Sequence, residues 1–392
     1  MNRAGITIVF AFLVMGVADA MGPLSNQVKD HYQLSSLTAT LLPFFVFIAF
    51  ALLSVPGGLL AGRIGKKNLL LLGLGLNAAA MLVPTVMEPG FALLLGCIFV
   101  LGVGTTFLQV AGNPIMRDVS PEGAYSRNLS IAQGVKGLGS SSSAYLVTGI
   151  TSIALIESWW GWRGGFPVFF ALMAIAFLLV AFLKVDETKP DVPPSIGSSL
   201  SLLKEPVFAL AVLGIFLYVG AEVSMAKFTQ PALERLGYSD DAAAFWGPAV
   251  FLLSIAVGRL LGGAIMSFVS AVTCFRGSAL LGLVGVLLVM TGSVPLTFTG
   301  IVVAGLGFAN IWPMLFSITV ERRPERANEL SGLMCMAISG GALVPLVMAH
   351  LDDLKWEAWT FIFIVPAACF AYLMVISLQR PPHEAEIVPG AK

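Results

Sequence analysis

Charge is scarce in this chain: only 11% of its 392 residues are Asp, Glu, Lys or Arg, against roughly 25% in soluble globular proteins. The 22 basic and 22 acidic residues balance, so nothing in the charge points to nucleic acid as a partner. Histidine is nearly absent, and His31, His350 and His383 fall near the ends of apolar runs or in the tail. There is no H-E-x-x-H helix, no G-x-S-x-G elbow and no pair of acids within one short helix-to-helix motif, which argues against an intramembrane enzyme. No stretch reads as a channel filter either. The cysteines Cys97, Cys274, Cys335 and Cys369 lie in apolar stretches without ligand spacing. Neither a disulfide framework, a zinc site nor an organic cofactor is expected.

Apolar residues are what the chain has: 57% of it is hydrophobic, with mean hydropathy +0.90. Runs near 20 residues, long enough to cross ~30 Å of hydrocarbon as helix, are expected twelve times. Six lie near 6–28, 37–61, 68–87, 91–116, 127–150 and 164–183, and six near 206–227, 242–266, 276–293, 296–317, 328–350 and 357–378. The first is too long for a signal peptide, contains Asp19 and has no small-residue cleavage site, so it reads as a retained helix.

Basic residues set the expected orientation, since cytoplasmic loops keep Lys and Arg. With both termini inside, the inner loops hold Arg63, Lys66, Lys67, Arg117, Arg127, Lys184, Lys189, Lys204, Arg276, Arg322, Arg323 and Arg326. The outer ones hold only Lys29, Arg163, Arg235 and Lys355. Trp159, Trp160 and Trp162 fit an interfacial belt.

The two halves of the chain echo one another at an offset near 200 residues. Asp19 in G-V-A-D-A-M corresponds to Glu222 in V-G-A-E-V-S-M, and P-G-G-L-L-A-G at 56–62 to G-R-L-L-G-G at 258–263. Asn128-Leu129-Ser130 corresponds to Asn328-Glu329-Leu330-Ser331, each following a Pro-Glu pair. The expected fold is an all-α integral membrane protein, twelve transmembrane helices in two pseudo-symmetric six-helix bundles. The bundles span 1–184 and 206–380, joined by a cytoplasmic linker at 185–205 and followed by a cytoplasmic tail at 381–392. Parallel repeats of this kind hold substrate near the bilayer midplane.

Polar residues inside such helices mark a pathway, because a charge at the bilayer centre costs a few kcal/mol or more. Asp19 shares a stripe of the first span with Met15, Gly22 and Asn26, beside a Gly22-Pro23 break whose freed carbonyls could coordinate a cation. Asp19 and Glu222 are the candidate cation-coupling groups; the plainer reading makes Asp19 a tie between helices. Gln109 and Asn113, one turn apart on the fourth span, suit a ligand rich in hydroxyls or serve as interhelical glue. On the fifth span Gln133, Lys136 and Ser140 share a stripe, and Lys136 lies too deep to snorkel. It either forms a fixed bridge with Asp19 or opens and closes that bridge as cation and substrate exchange. On the tenth, Asn310 and Trp312 complete the candidate substrate set, the indole as a platform for a sugar ring or as packing. Arg259 reads as a gating or snorkelling residue.

Gly58-Leu59-Leu60-Ala61-Gly62-Arg63-Ile64-Gly65-Lys66-Lys67 resembles the major facilitator signature G-x-x-x-D-[RK]-x-G-[RK]-[RK], and the resemblance makes Arg63 and Lys66 gating residues. Gly62 stands where that signature has Asp, which implies one gating salt bridge fewer. Ala111-Gly112-Asn113-Pro114 resembles the A-A-N-P, and the stretch Ala132-Gln133-Gly134-Val135-Lys136-Gly137-Leu138-Gly139 the A-Q-x-F-N-S-x-G, of the fucose–galactose–glucose:proton symporter family. The closest resemblance is to its short bacterial sugar transporters. That implies a monomer in the bacterial inner membrane carrying a monosaccharide together with a proton, or with sodium, by alternating access. Gln109 occupies the position of a carboxylate in the fucose-transporting members, and Lys136 that of a sugar-binding Asn. Coupling therefore falls to Asp19, with or without Glu222. An acidic sugar or other organic anion bound through Lys136 is the alternative substrate.

Overall fold

A backbone in lipid has no water to bond to, so each crossing must satisfy its own amides, and an α-helix does so within one segment. The computed structural model describes residues 3–18, 27–35, 38, 41–151, 153–188, 194–354 and 359–379, and among them every regular element is helical. We number the crossings α1 (Arg3–Ala18), α2 (Leu41–Ile64), α3 (Lys66–Val86), α4 (Phe91–Asp118), α5 (Tyr125–Thr151) and α6 (Ala154–Ala181) in the first half. The second half has α7 (Pro206–Arg235), α8 (Asp240–Ile265), α9 (Ala271–Met290), α10 (Val294–Glu321), α11 (Pro324–Asp353) and α12 (Trp359–Ser377). Ten are long and apolar enough to span a bilayer. The other two are α1, whose described part ends at Ala18, and α5, whose glycines, serines and Lys136 make it the polar helix of the set. Leu52, Leu179, Leu287 and Val375 expose their side chains outward, as lipid-facing positions do.

The sequence echo is a structural one. In the first half α3 packs on α4 and α6, α2 on α4 and α1 on α6; in the second, α9 packs on α10 and α12, α8 on α10 and α7 on α12. Small residues bring backbones together at matching places. A Cβ on Gly104 of α4 would stand 2.7 Å from the Gly73 carbonyl of α3, and one on Gly307 of α10 would stand 2.1 Å from the Gly282 amide of α9.

By contacts the chain forms two compact units. One comprises Met1–Ser120, Val135–Ser199 and Glu325–Met336; the other comprises Pro121–Gly134, Leu200–Pro324 and Ala337–Lys392. Helices α5 and α11 thus each give their first part to one unit and the remainder to the other. α5 passes Gly134 as continuous helix, whereas α11 tightens to a 3₁₀ turn at Ala337–Ser339. The first part of α11 lies on α2, where a Gly58 Cβ would approach the Asn328 carbonyl to 2.5 Å. The first part of α5 lies on α8, where a Gly263 Cβ would approach Ile131 to 2.5 Å. The repeated glycine and Asn-Ser motifs are therefore each other's packing partners.

The α2–α3 turn sits at Gly65, whose φ of 92° suits glycine. Lys66 beside it is fully buried and ion-paired with Asp118 at the end of α4. The Glu187 carboxylate accepts from the Lys66 and Lys67 amides, satisfying two open donors at the start of α3. At Gly62, a Cβ would fall 2.4 Å from Pro194 of the linker. The proline fills the space that a side chain at position 62 would need.

Candidate functional site: two polar clusters

Proline places both clusters. Pro114 in α4 and Pro313 in α10 have no N–H for the carbonyl four residues back, which frees the oxygens of Val110 and Ala309. Each is taken by a side chain from another helix: Ser331 Oγ of α11 donates to Val110 O at 2.7 Å, and Arg259 Nε of α8 to Ala309 O at 3.1 Å. A freed carbonyl in a helix interior costs about 1–3 kcal/mol if left unmade, so these partners fix how the helices meet.

In the first unit, Asn113 is fully buried and its Nδ2 lies 3.4 Å from Gln109 Oε1 and 4.0 Å from Cys335 Sγ of α11. Lys136 is half-buried on α5 and is also a neighbour of Cys335. Gly16 of α1 rests on the α5 backbone here, its missing Cβ falling 2.0 Å from the Lys136 carbonyl. Gln109 and Asn113 thus face one another across one helical turn, and Cys335 joins them from a helix the sequence gave no reason to include. Asp19 and Asn26 lie outside the described residues.

In the second unit Arg259 is buried and reaches three other helices. Its Nη2 stands 3.6 Å from Glu222 Oε1 and donates to the Tyr218 hydroxyl at 3.2 Å, both on α7. Its Nε holds α10 through Ala309, and its Nη1 lies 3.5 Å from the Gln133 carbonyl of α5. This corrects the snorkelling alternative for Arg259, which had no visible partner in the sequence because Glu222 is far away along the chain. Asn310 is bonded at both ends of its amide: Nδ2 donates to Gly258 O at 3.0 Å, and Oδ1 lies 2.7 Å from Ser130 Oγ. The same Ser130 hydroxyl is 2.9 Å from the Arg259 carbonyl, so its one proton serves one acceptor at a time. Gln133 is counted in this unit, one turn of continuous α5 before Lys136. Trp312 is 4% exposed and its indole Nε1 is buried without a hydrogen-bond partner among the described residues. Of the loop residues, Arg63 is exposed, while Lys66 is committed to Asp118.

A sequence profile of the Major Facilitator Superfamily matches residues 5–345. The chain is 30% identical over 376 residues to a glucose/galactose transporter of Brucella abortus, covering 91% of this chain and 88% of that protein. It is 21% identical over 409 residues to the L-fucose–proton symporter of Escherichia coli, covering 94% and 91%. The crystal structure of that fucose:proton symporter superposes with a TM-score of 0.83 at 19% identity, over 95% of this chain and 97% of the other. At that identity the superposition speaks to the fold alone.

Proposed function

The chain belongs to the Major Facilitator Superfamily, and we propose that it carries a neutral monosaccharide together with a cation by alternating access. The observation that carries this reading is the buried Gln109–Asn113 amide pair beside Lys136 and Cys335. Amides that both donate and accept suit sugar hydroxyls, and the relatives are named for glucose, galactose and fucose. In the second unit the Trp312 N–H, without a partner among the described residues, is by itself a candidate donor to a sugar hydroxyl. Asn310, bonded at both ends, acts as a clamp between α5, α8 and α10 instead of a sugar ligand.

Asp19 is the first coupling group and Glu222 the second. A proton is favoured over sodium because one relative is named a proton symporter. The protein works as a monomer in the bacterial cytoplasmic membrane, both termini and the basic loops on the cytoplasmic side. α5 and α11 are the gating helices: each is packed at its first part on a glycine-lined helix, α8 or α2, contacts that a rocking motion must break and remake.

Uptake of labelled glucose, galactose and fucose into proteoliposomes, with proton and sodium gradients imposed separately, tests this. Accumulation that follows one cation gradient is expected; binding or turnover without gradient-driven flux would sink the symport reading. A sugar acid that outcompetes all three neutral sugars would move the assignment to an anion held by Lys136.

A further inference from the structure

The segment that joins the two halves of the chain is fastened to several helices of the first unit. Glu187 accepts from the Lys66 and Lys67 amides at the start of α3, and Thr188 Oγ1 donates to Asp118 at the end of α4 at 2.9 Å. Pro194 is buried in the space beside Gly62 of α2. The short helix Ile196–Ser201 then grips the start of α11.

The grip is a set of charge-assisted bonds. The Glu329 side chain of α11 is 6% exposed, and Arg326 Nε and Nη2 reach its two oxygens at 2.6 and 2.8 Å. From the linker, Ser198 Oγ lies 2.6 Å from the same carboxylate and Ser199 Oγ 3.3 Å. The Ser198 hydroxyl has a second acceptor in the Ser195 carbonyl at 3.0 Å, but the nearer and charged oxygen takes its proton. Arg326 Nη2 also donates to the Ser198 carbonyl at 2.7 Å. The linker thus gives a donor to the acid and an acceptor to the base, and bonds to ionised partners are about twice as strong as neutral ones. A helix of six residues is too short to stand alone. It is held by the seat of Pro194 on Gly62, by the buried Ser199 and by the Arg326–Glu329 pair.

We propose that residues 194–199 are a latch that holds the first part of α11 on α2, and that the latch opens whenever the carrier turns over. The proposal rests on the reading of α11 as a gating helix. Because the short helix needs both of its seats, lifting Pro194 from Gly62 releases α11 just as removing the Ser198 hydroxyl does.

The test reads Cys335, which is fully buried further along α11, in the full chain carrying Cys97→Ala, Cys274→Ala and Cys369→Ala. Its rate of modification by N-ethylmaleimide is measured in liposomes without substrate, so the result does not depend on which sugar or cation is carried. Ser198→Ala is expected to raise that rate about tenfold, the scale of one hydrogen bond to a charged group. Gly62→Ala should do the same although it alters neither Glu329 nor Arg326, because its Cβ falls 2.4 Å from Pro194. Ser198→Thr keeps the hydroxyl and should keep the parent rate. In both alanine variants amide exchange should quicken over residues 325–336 while the α3–α4 contact stays protected, which a general loosening would not allow. Parent rates in Ser198→Ala and Gly62→Ala, with faster labelling in Gly58→Leu, which wedges a side chain between α2 and α11, would overturn the latch and leave the gate standing. Parent rates in all three would overturn the gate and the latch together.

Discussion

Arg259 on α8 stands 3.6 Å from Glu222 on α7, with side chains 11% and 21% exposed. The same guanidinium reaches Tyr218, the Ala309 carbonyl and the Gln133 carbonyl. One cation thus joins the second-half acid to the backbone of two other helices, including the part of α5 that packs on α8. Whether Glu222 carries charge therefore bears on how firmly α5 is held.

Glu222→Gln is expected to lower stability, because removing one partner of a buried pair leaves the other uncompensated, an effect of about 3–5 kcal/mol when burial is complete and smaller at this partial exposure. Pairing it with Arg259→Met should recover thermal stability in detergent without recovering gradient-driven uptake. If the double variant accumulates sugar normally, Glu222 has no part in coupling.

Asp19→Asn should abolish concentrative uptake and leave sugar exchange between equal compartments. The measurement is accumulation against counterflow in the same vesicles. Full accumulation by the variant would remove Asp19 from the coupling role.

Trp312→Phe keeps an aromatic ring and loses the N–H. A hydrogen bond is worth about 0.5–1.5 kcal/mol net, so KM for the preferred sugar should rise up to about tenfold with kcat little changed. An unaltered KM would assign the indole to packing against Phe316, whose ring centroid is 5.9 Å away.

Gly58→Leu should push the first part of α11 off α2, since even a Cβ there falls 2.5 Å from the Asn328 carbonyl. Overpacking of this kind costs about 1–3 kcal/mol, enough to depopulate that arrangement about fivefold or more. Cys335, now fully buried, should become reactive to a small thiol reagent in a variant lacking the other cysteines. Unchanged reactivity would mean that α2 and α11 yield without separating.

Lys66→Met should destabilise the protein strongly, because Asp118, 1% exposed, loses its counter-charge. Thr188 Oγ1, at 2.9 Å, remains on the other carboxylate oxygen but cannot balance its charge. Lys66→Met combined with Asp118→Leu should recover most of the loss in a melting experiment, as a hydrophobic replacement of a buried pair often does.

The membrane-spanning character of the helices and the repeat were legible because they are properties of short windows: twenty apolar residues in a row, a glycine motif, an Asn-Ser stretch. The Gln109–Asn113 pair was legible for the same reason, lying one helical turn apart. Lys66 was readable as a motif residue but not as a fixed ion pair, since Asp118 is supplied by another helix.

What the sequence by itself determined is an all-helical, duplicated membrane protein with acids, amides and a lysine inside its helices, because lipid admits little else from such a composition. Tertiary structure alone decided which of those groups meet. Glu222 found Arg259, Cys335 joined Asn113, Ser130 clamped Asn310, and Pro114 and Pro313 opened carbonyls for Ser331 and Arg259. Each of these contacts joins residues from different helices. A proline or an acid announces that a partner is needed, and only the packing of one helix on another says which residue that partner is.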